Sequence, residues 1–449
     1  MGRQGAFIMN SQLGRPRGHL LRFYQTISPA LVGLTNQLAS FSPKLETAVL
    51  GRRNLMQKLA EIAPRVRGGV WFHVTSVGEY EQARPVIEAI KAQADPPPVM
   101  VTHFSPSGYD FALKRPCAET HQYLPFDLPQ DMNRLMEMWQ PRLLVFVKFD
   151  CWPNQVLAAV RHQVPVVLLA GSLQPRSTRL HPLARPLFKE IFNHFAHIGT
   201  CTADDARRFT HDLGVTSPVT ITGDTRVEQV ILRFEAARDG ATATKLKNLG
   251  GRLLILGSTW PADEKLWLPI LPELLKNFPD LKVILTPHEP LPHRLESLEK
   301  RLTGDHITHC RLSQLMESDG SAPDLSRVIL VDSIGVLAEI YRSGDLAYVG
   351  GSFTTGVHNT MEPAVASMPV LFGPRIQNAE EAGVLVTQQA GFVLKEPSET
   401  LAQTSKLLSD DTLLKKTGAK ARQVVLEQRG ATQRSLRVIA PYLKSSGSQ

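Results

Sequence analysis

At 449 residues the chain is longer than a single hydrophobic core usually supports, so we expect two domains. With 43% hydrophobic and 20% charged residues, the composition excludes a disordered protein and is typical of a globular one. The four cysteines form neither a C-x-x-C pair nor another zinc-ligand spacing, which argues against a disulfide framework and favours a reducing compartment.

The front of the chain is basic and amphipathic. Up to Arg67 it carries ten Lys/Arg residues against two acids, Glu46 and Glu61. Its apolar residues recur at three- and four-residue steps, the spacing of one helix face: Leu20, Phe23, Tyr24, Ile27, Leu31, Leu34, Leu38 and Phe41. Polar residues interrupt the pattern well before the ~20 residues of a membrane span, and it does not fit a signal peptide. We predict a segment over residues 1–45 that lies on an anionic membrane surface or packs as an ordinary helix.

From residue 46 to residue 222 short apolar runs alternate with helical patterns. This alternation predicts an α/β domain with a parallel sheet that is covered on both faces. The strand candidates are 70–75, 99–103, 143–148, 165–169, 197–201 and 219–222.

A second series of strand patterns predicts another α/β domain over residues 223–430. Its strands begin near residues 253, 281, 327, 345 and 369. Residues 223–250 carry a charged helix pattern and little strand pattern, so we assign them to an interdomain linker. Residues 431–449 are predicted to be a C-terminal tail whose last five residues, SSGSQ, fray.

Three loops of the second domain are candidates for an anion site. They contain Ser258 and Thr259, Ser333 to Gly335, and Gly350 to Ser352, each before a predicted helix. Ligands of open α/β sheets bind at the carboxyl ends of the strands, where helix N-termini attract anions. A single loop of this kind has a structural explanation, because βα turns use Gly and Ser anyway. Three in one domain predict an anionic ligand that bears a nucleotide.

The sequence lacks the motifs of two common nucleotide-binding classes. It has neither a G-x-x-x-x-G-K-[ST] phosphate loop nor a G-x-G-x-x-G fingerprint, which argues against a P-loop ATPase and a standard dinucleotide enzyme. It also lacks a D-x-D run of the kind that holds a divalent ion on a nucleotide sugar. We therefore expect protein dipoles and cations to meet the charge of any leaving phosphate.

The stretch WFHVTSVGEYEQARP places a carboxylate, Glu79, where a predicted strand ends and a helix begins. In one interpretation Glu79 complements the helix dipole, which is worth about 0.3–1 kcal/mol. In the other it is a general base that takes a proton from an acceptor hydroxyl. Spacing alone leaves both interpretations open.

Eight collinear blocks between residues 18 and 430 resemble the 3-deoxy-D-manno-oct-2-ulosonic acid (Kdo) transferases of lipopolysaccharide assembly. The resemblance is closest to the branch with "FVK-x-[ED]" and "PHE" instead of "ETELWP" and "PRHPE". The blocks are WFHVTSVGEYEQARPVIEAI, HFSPSGYDF, YLPFDLPQDMNRLMEMWQPRLLVFVKFDCWPN, GDTRVEQV, LGSTWPADE, TPHEP, VDSIGVLAEIYRSGDLAYVGGSFTTGVHNTMEPAV and PVLFGPRIQNAEEA.

The resemblance implies a GT-B fold, in which two Rossmann-like α/β domains face a central cleft, here with an N-terminal amphipathic helix. The acceptor-binding domain is then 46–222 and the nucleotide-sugar-binding domain 223–430. The implied activity is an inverting transfer of Kdo from CMP-Kdo to the lipid A precursor (lipid IVA), without a metal or other cofactor.

The family's catalytic residues fall on three positions of this sequence. Glu79 matches the general base of the S-x-G-E motif. Asp150 takes the place of the second family carboxylate, with a side chain one methylene shorter. Lys148 takes the place of another family glutamate; its cation would attract the Kdo carboxylate or the phosphate, whereas a strand-end lysine would give the same pattern.

The resemblance also implies two sets of binding residues. Gly78 and the Arg176–Ser177 pair are expected to bind the acceptor, although solvated loop residues would look the same. Glu362 resembles the GT-B carboxylate that accepts hydrogen bonds from two ribose hydroxyls, and His288 stands where the other branch has an arginine. The residues expected around the nucleotide sugar are Ser258, Thr259, His288, Ser333, Ile334, Gly335, Gly350, Gly351, Ser352, His358, Asn359 and Glu362.

The predicted partners are CMP-Kdo, the lipid A precursor and an anionic membrane surface. Nucleic acid is disfavoured because the basic residues are not interleaved with a recognisable binding module. The predicted location is the cytoplasmic face of the bacterial inner membrane, in peripheral, monotopic association. Two alternatives remain open: a GT-B transferase or epimerase that uses a UDP-sugar, and a two-lobed nucleotide-binding protein without catalysis.

Overall fold

The structure is a computed structural model that describes residues 19–148, 150–237, 240–318 and 325–443. Residues 19–228 and 430–443 form one compact unit, the N-terminal unit, and the described part of 229–429 forms the C-terminal unit. The first 18 residues of the predicted amphipathic segment and the predicted frayed end lie outside the described residues.

A parallel sheet of seven described strands forms the centre of the N-terminal unit. The strands are β1 (Val70–Val74), β2 (Val99–His103), β3 (Thr120–Tyr123), β4 (Leu143–Val147), β5 (Val166–Gly171), β6 (His197–Thr200) and β7 (Val219–Ile221). Their order is β3-β2-β1-β4-β5-β6-β7, and neighbours pair in parallel. Strands β1, β2, β4 and β5 are mostly apolar and are buried along their whole length because both faces of the sheet are covered.

Apolar side chains form a core on each face of this sheet. On one face, Trp71 and Phe146 belong to a cluster with Trp139. On the other face, Phe72 and Val145 belong to a second cluster. Neighbouring residues of one strand enter opposite cores because side chains alternate across a strand.

Three described helices precede the first strand of the N-terminal unit, and further helices connect its strands. Their bounds are α1 (His19–Leu38), α2 (Pro43–Leu50), α3 (Leu55–Val66), α4 (Val77–Lys91), α5 (Pro106–Lys114), α6 (Pro129–Trp139), α7 (Pro153–Arg161), α8 (Arg185–Phe192) and α9 (Ala203–Arg207). Short 3₁₀ turns lie at Ala39–Phe41 and Thr178–Leu180, and a π-helical turn lies at Arg208–Asp212. Proline begins α5, α6 and α7, where its missing N–H removes no helical hydrogen bond.

The C-terminal unit has a second parallel sheet of seven described strands. They are β8 (Leu253–Thr259), β9 (Lys282–Pro287), β10 (His309–Arg311), β11 (Val328–Leu330), β12 (Leu346–Val349), β13 (Val370–Phe372) and β14 (Gly391–Val393). Their order is β10-β11-β9-β8-β12-β13-β14, and all of these pairings are parallel. The predicted α/β class with two Rossmann-like sheets is therefore confirmed.

Helix α10 (Arg226–Ala236) leads the chain from the first unit into the second. The helices that follow are α11 (Ala241–Asn248), α12 (Pro261–Trp267), α13 (Leu271–Asn277), α14 (Pro292–Gly304), α15 (Leu312–Glu317), α16 (Leu337–Ile340), α17 (Met361–Val365), α18 (Glu380–Thr387), α19 (Pro397–Leu408) and α20 (Asp411–Leu426). Single 3₁₀ turns lie at Leu268–Ile270 and Tyr341–Ser343. Leu246 of α11 is buried in the core of the C-terminal unit, so this part of the predicted linker packs as part of that unit.

The chain returns to the N-terminal unit at helix α21 (Ala431–Leu443), which packs on α4. Ile439 and Leu443 join the same core as Phe72 and Val86. Residues four apart share one face of a helix, so this pair forms an apolar contact surface. The described part of 431–449 is therefore a packed helix, which differs from the tail that the sequence predicts.

The sequence analysis did not predict three of the strands, β3, β10 and β14. Each lies at an edge of its sheet and is only three or four residues long. An edge strand has one neighbour and is partly exposed, so polar residues such as Thr120, Gln122 and His309 replace the apolar run that marks an inner strand.

Helix α1 packs on the N-terminal unit through only part of its surface. Leu21 and Ser28 are buried there, and the Tyr24 hydroxyl donates a hydrogen bond to Asp127. The exposed apolar residues of this region are Leu20, Phe23, Leu31, Leu34, Leu38 and Phe41. None of the helices in the described part of the chain combines the length and the hydropathy that a bilayer crossing requires.

Candidate active site

The carboxyl edge of the first sheet brings together the predicted catalytic residues. Strands β1 and β4 are neighbours, and the strand order reverses between them, which makes this the switch point where open α/β sheets bind ligands. Glu79 follows β1, and Lys148 and Asp150 follow β4. The spacing in the sequence therefore places all three side chains at one edge.

Local hydrogen bonds fix Glu79 at the start of α4. Ser76 is the N-cap residue, and its hydroxyl accepts a hydrogen bond from the Glu79 N–H at 3.3 Å. The Glu79 carboxylate turns back and accepts the N–H of Thr75 through Oε2. This is the reciprocal arrangement of a capping box, moved by one residue. Only 2% of Glu79 is exposed.

The environment of Glu79 brings its pKa close to neutrality. Burial is the main cause that raises the pKa of Glu79 to about 7, and the nearby charge of Asp150 raises it further. The Thr75 N–H and the Lys148 cation act in the opposite direction and lower this pKa. A carboxylate of this kind can take up a proton near pH 7 and release it again, as a general base must.

Asp150 is held by an arginine that the sequence analysis did not single out. The Arg179 guanidinium donates to Asp150 Oδ1 at 2.8 Å, and both side chains are largely shielded from solvent. Arg179 also lies over the Phe188 ring, 5.2 Å from its centroid. It stands two residues after the quoted Arg176–Ser177 pair, so the only available signal was a cluster of basic residues in one loop.

Lys148 adopts a left-handed backbone conformation, with φ of +69°. Its N–H donates to the Leu169 carbonyl at 2.9 Å, and its carbonyl accepts the Ser172 N–H at 3.1 Å. Both bonds tie Lys148 to the neighbouring strand β5 and to the residue after it. The strained residue is therefore fixed by its backbone on both sides, as at many functional sites.

The predicted acceptor-binding residues lie at the same edge or in the loop that follows β5. Gly78 is exposed, and a Cβ there would meet nothing closer than the Ser76 hydroxyl at 4.0 Å. Arg176 is exposed, and the Ser177 hydroxyl accepts the Arg179 N–H at 3.3 Å. Ser177 thus caps the 3₁₀ turn that carries Arg179, and Arg176 remains open to solvent.

The C-terminal unit has a corresponding switch point between β8 and β12. Ser258, at the end of β8, has φ of +52° next to an irregularity in the pairing with β9. A Cβ at Gly350 would clash with the Ser258 carbonyl, so glycine is required for the close approach of the two loops. Gly351 has φ of +94°, which also favours glycine.

A buried carboxylate, Asp263, holds these two loops together. Its Oδ2 accepts the Trp260 N–H at 2.8 Å and the Gly351 N–H at 3.0 Å, and its Oδ1 accepts the Tyr348 hydroxyl at 2.5 Å. The side chain is fully buried. The sequence analysis quoted Asp263 within GSTWPADE but gave it no role, because its partner Gly351 lies 88 residues away.

Trp260, His288 and His358 form an aromatic stack at this edge. The ring centroids of Trp260 and His288 are 4.8 Å apart, and those of His288 and His358 are 4.4 Å apart. Trp260 Nε1–H donates to His358 Nε2 at 2.9 Å. Burial, and then His288, lower the pKa of His358 to about 4, and burial also lowers the pKa of His288. Both imidazoles are therefore neutral at pH 7.

Two predicted donor-site residues make internal hydrogen bonds. The Thr259 hydroxyl donates to Glu264 at 3.1 Å, and its carbonyl accepts the His288 N–H at 2.9 Å. The Ser352 hydroxyl accepts the Gly373 N–H at 2.6 Å. Thr259 and Ser352 are completely buried, so they shape the loops from within.

An exposed cation, Arg375, lies beside the Gly350–Ser352 loop and was missed in the sequence. Its N–H donates to the Ser352 carbonyl at 3.0 Å, and its guanidinium donates to the Thr354 carbonyl at 2.6 Å. The only signal for it was the quoted block PVLFGPRIQNAEEA. Because both histidines of the stack are neutral, Arg375 is the cation whose contacts place it next to this loop.

The other predicted donor-site residues lie in two loops. Asn359 donates to Glu362 Oε1 at 3.2 Å, and Arg233 is 3.9 Å from the same oxygen. Ser333, Ile334 and Gly335 are exposed, and they precede a helix of only four residues. The helices after the three predicted anion loops, α12, α16 and α17, have seven, four and five residues. Any phosphate contact at these short helices would depend on the loops.

Among the described residues there is no group of three or more His, Cys, Asp or Glu side chains that could hold a metal ion.

The chain has two parallel Rossmann-like sheets, and polar or charged residues lie at the switch point of each. This arrangement defines a GT-B class of fold. A solved structure of UDP-GlcNAc 2-epimerase from Neisseria meningitidis matches 83% of this chain and 100% of its own chain, with a TM-score of 0.60. The two sequences are 12% identical, so this likeness concerns the fold alone.

The chain belongs to the 3-deoxy-D-manno-octulosonic acid (Kdo) transferase family. The family model described as 3-Deoxy-D-manno-octulosonic-acid transferase (kdotransferase) matches residues 48–229. The 3-deoxy-D-manno-octulosonic acid transferase of Chlamydophila psittaci is 30% identical over 75% of this chain and 79% of its own length. The Haemophilus influenzae protein of the same name is 25% identical over 84% and 87%. The protein is accordingly an enzyme of the glycosyltransferase class.

Proposed function

We propose that this protein is an inverting glycosyltransferase that moves Kdo from CMP-Kdo to a hydroxyl of the lipid A precursor, lipid IVA, in lipopolysaccharide synthesis. The observation that carries the proposal is Glu79, a buried carboxylate at the switch point of the first sheet whose pKa is about 7. A carboxylate that merely complemented the helix dipole would gain from being ionised and exposed, whereas burial here opposes ionisation.

Glu79 is the general base of this reaction. The acceptor oxygen attacks the anomeric carbon of Kdo, the bond from that carbon to the phosphate oxygen breaks, and the electron pair leaves with CMP. The hydroxyl proton passes to a carboxylate oxygen of Glu79. A single displacement of this kind inverts the anomeric configuration. Lys148 offsets negative charge near the reacting groups, and Gly78 leaves room for the acceptor at the start of α4.

The loops of the C-terminal unit bind the nucleotide. Glu362 accepts hydrogen bonds from the ribose hydroxyls, as an ionised carboxylate is suited to do. Arg375 and the neutral His288 contribute a cation and a hydrogen-bonding group for the phosphate. In this proposal protein groups meet the charge of the leaving group, so an excess of a metal chelator should leave the rate unchanged.

Helix α1 attaches the enzyme to the cytoplasmic surface of the inner membrane, where a lipid acceptor would lie. Support comes from the exposed apolar residues of α1 and of the 3₁₀ turn after it, including Phe23 at 60% and Phe41 at 83%, and from the excess of basic residues in the front segment. Anionic lipids attract such a segment, and the apolar side chains enter the interface.

Replacing Glu79 tests the central claim. The variant Glu79→Gln should lower kcat by at least about 100-fold, because amides do not accept the proton, while the affinity for CMP stays within about twofold of the wild type. Glu88→Gln, on the same helix but exposed, is the matched control and should retain full activity. Transfer is read as the mass of the product from CMP-Kdo and lipid IVA. Full activity of Glu79→Gln would remove the proposed base.

The identity of the donor is tested by competition. CMP should inhibit transfer and UDP should not, at equal concentrations. Inhibition by UDP alone would favour the alternative of a UDP-sugar enzyme with the same fold.

Surface attachment is tested by sedimentation with vesicles of phosphatidylglycerol and phosphatidylcholine. The double variant Phe23→Gln/Leu34→Gln should lose most of its vesicle binding, because both side chains are exposed on α1. Met316→Gln/Leu325→Gln removes two exposed apolar residues elsewhere and should bind as the wild type does. Equal binding of all three proteins would contradict the role of α1.

A further inference from the structure

A buried carboxylate outside the candidate site, Asp127, joins three segments of the N-terminal unit. It lies between β3 and α6 and is 5% exposed. Its Oδ2 accepts the Asn154 N–H at 2.9 Å, and its Oδ1 accepts the Gln155 N–H at 3.0 Å. The Asn154 side-chain amide donates to the Asp127 carbonyl at 2.5 Å. Asp127 therefore satisfies free N–H groups in the first turn of α7.

These hydrogen bonds fix one end of the segment that carries Lys148 and Asp150. That segment starts where β4 ends, and Trp152 is its last residue before α7. Trp152 provides no side-chain cap for the helix. The cap comes instead from Asp127, 27 residues earlier in the chain. The position of Asp150 thus depends on how Asp127 holds the start of α7.

Helix α1 is the third segment that Asp127 joins. The Tyr24 hydroxyl donates to Asp127 Oδ2 at 3.0 Å, and the Ser28 hydroxyl accepts from the Asn154 side-chain amide at 3.3 Å. Tyr24 and Ser28 are four residues apart, so they lie on the same face of α1. The apolar residues that α1 leaves exposed include Phe23, Leu31 and Leu34. One carboxylate thus connects a helix with exposed apolar residues to the segment that bears two candidate catalytic side chains.

We propose that Asp127 is a positioning residue that couples the seating of α1 on a lipid surface to the geometry of the segment carrying Lys148 and Asp150. The inference rests on the proposed function, because it takes α1 to be the surface-binding helix. A lipid surface holds α1 and keeps Tyr24 on Asp127; Asp127 then holds the first turn of α7. Transfer is therefore faster when the enzyme sits on an anionic surface than when the same acceptor is offered in neutral detergent micelles.

The variant Tyr24→Phe removes only the hydroxyl that joins α1 to Asp127 and leaves the exposed apolar residues intact. On vesicles of phosphatidylglycerol and phosphatidylcholine that contain the acceptor, kcat should fall about tenfold, the size of one hydrogen bond to a charged group. Vesicle binding, the KM for CMP-Kdo and the rate in micelles should stay within about twofold of the wild type. Tyr442→Phe, which removes a partly buried hydroxyl from α21, is the matched control and should match the wild type on vesicles.

A second measurement does not depend on activity. Hydrogen exchange of the amides in residues 154–160 should slow when wild-type protein binds plain anionic vesicles without donor or acceptor, and should not slow for Tyr24→Phe. Asp127→Asn keeps one acceptor oxygen, and its amides should also fail to slow in exchange when vesicles bind. If Asp127→Asn does not fold, the result for Tyr24→Phe alone tests the coupling. If the wild type transfers no Kdo, the proposed function fails while this exchange test still stands. Equal protection in wild type and Tyr24→Phe would overturn the coupling.

Discussion

The two switch points of this enzyme differ in the chemistry of the residues that form them. At the edge of the first sheet, Glu79, Lys148, Asp150 and Arg179 are charged or titratable, and their mutual electrostatics set the pKa of one carboxylate. At the edge of the second sheet, glycines in tight loops, a buried Asp263 and two neutral imidazoles provide shape and hydrogen bonds. The comparison teaches that one fold, used twice, can place titratable groups on one edge and tight, hydrogen-bonded loops on the other, which is the division of labour that the proposed function requires.

The largest expected effect comes from Asp263→Ala in the C-terminal unit. The change leaves the buried Gly351 N–H, the partly buried Trp260 N–H and a buried tyrosine hydroxyl without an acceptor, which should cost about 3–5 kcal/mol in the free energy of unfolding. The affinity for CMP should fall on the order of 100-fold because both loops lose their anchor. Urea unfolding and CMP titration measure the two effects.

Asp280→Asn, at a partly exposed ion pair of the same unit, is the control for Asp263 and should change neither quantity appreciably. The comparison of the two edges also requires that the acid limb of kcat/KM keep its position in Asp263→Ala. A displaced acid limb would show that the donor side also controls the proton chemistry.

The next effect concerns the stability cost of Glu79. Its folded pKa of about 7 exceeds the ordinary value of 4.5, so the fold favours the protonated form. Stability is therefore unaffected below about pH 4.5, falls as the pH rises towards 7, and carries the full penalty above it. Glu79→Gln should be more stable than the wild type by about 3 kcal/mol at pH 8 and about equal to it at pH 4. Urea unfolding at both values measures this, and a destabilised variant at pH 8 would contradict it.

A smaller effect is expected from the cation of the second edge. Arg375→Gln should weaken CMP binding about tenfold and reduce its dependence on salt, because the change removes a charge from the proposed phosphate site. Lys406→Gln, an exposed cation on α19, should leave both unchanged. The ratio of CMP affinities of wild type and His288→Gln should stay constant from pH 7 to pH 8, since burial lowers the pKa of this imidazole and keeps it mainly neutral in that range. A ratio that is larger at pH 7 than at pH 8 would show that His288 carries a positive charge. The second edge would then resemble the first in having a titrating side chain.

The smallest effect is a shift in the pH profile. The charge of Asp150 raises the pKa of Glu79, so Asp150→Asn should move the acid limb of kcat/KM to lower pH, by about one pH unit or less. Arg179→Gln leaves Asp150 without its ion-pair partner and should move the limb to higher pH. Glu88→Gln serves as the unshifted reference. Movement of both variants in one direction would mean that structural damage, not charge, determines the profile.

The inner strands of both sheets were readable from the sequence because burial on two faces demands apolar runs. The predicted starts of β1, β2, β4 and β8 coincide with the observed ones. The edge strands β3, β10 and β14 and helix α21 were not, although β7, which also lies at an edge, was predicted. The three missed strands carry no long apolar run, and the packing of α21 on α4 joins residues more than 300 positions apart. Local sequence carries little information about such distant contacts.

The residues of the candidate site show the same contrast between local and distant contacts. Glu79 was identifiable as a candidate because its N-cap serine and its helix are its immediate neighbours in the chain. Arg179, Asp263 and Arg375 act through partners on other loops, so spacing gave them no role. The short helices after the donor loops were also unforeseen, because a pattern of apolar residues fixes where a helix starts better than how long it lasts.

Helix α21 has a consequence for how the chain folds during synthesis. Ile439 and Leu443 belong to a core that also contains Val70. The N-terminal unit therefore cannot complete its folding until these late residues have left the ribosome. The C-terminal unit, whose residues are contiguous, is free to fold earlier. A fragment cut after residue 228 would expose the apolar surface that α21 covers, and we expect it to aggregate unless the helix is supplied as a separate peptide.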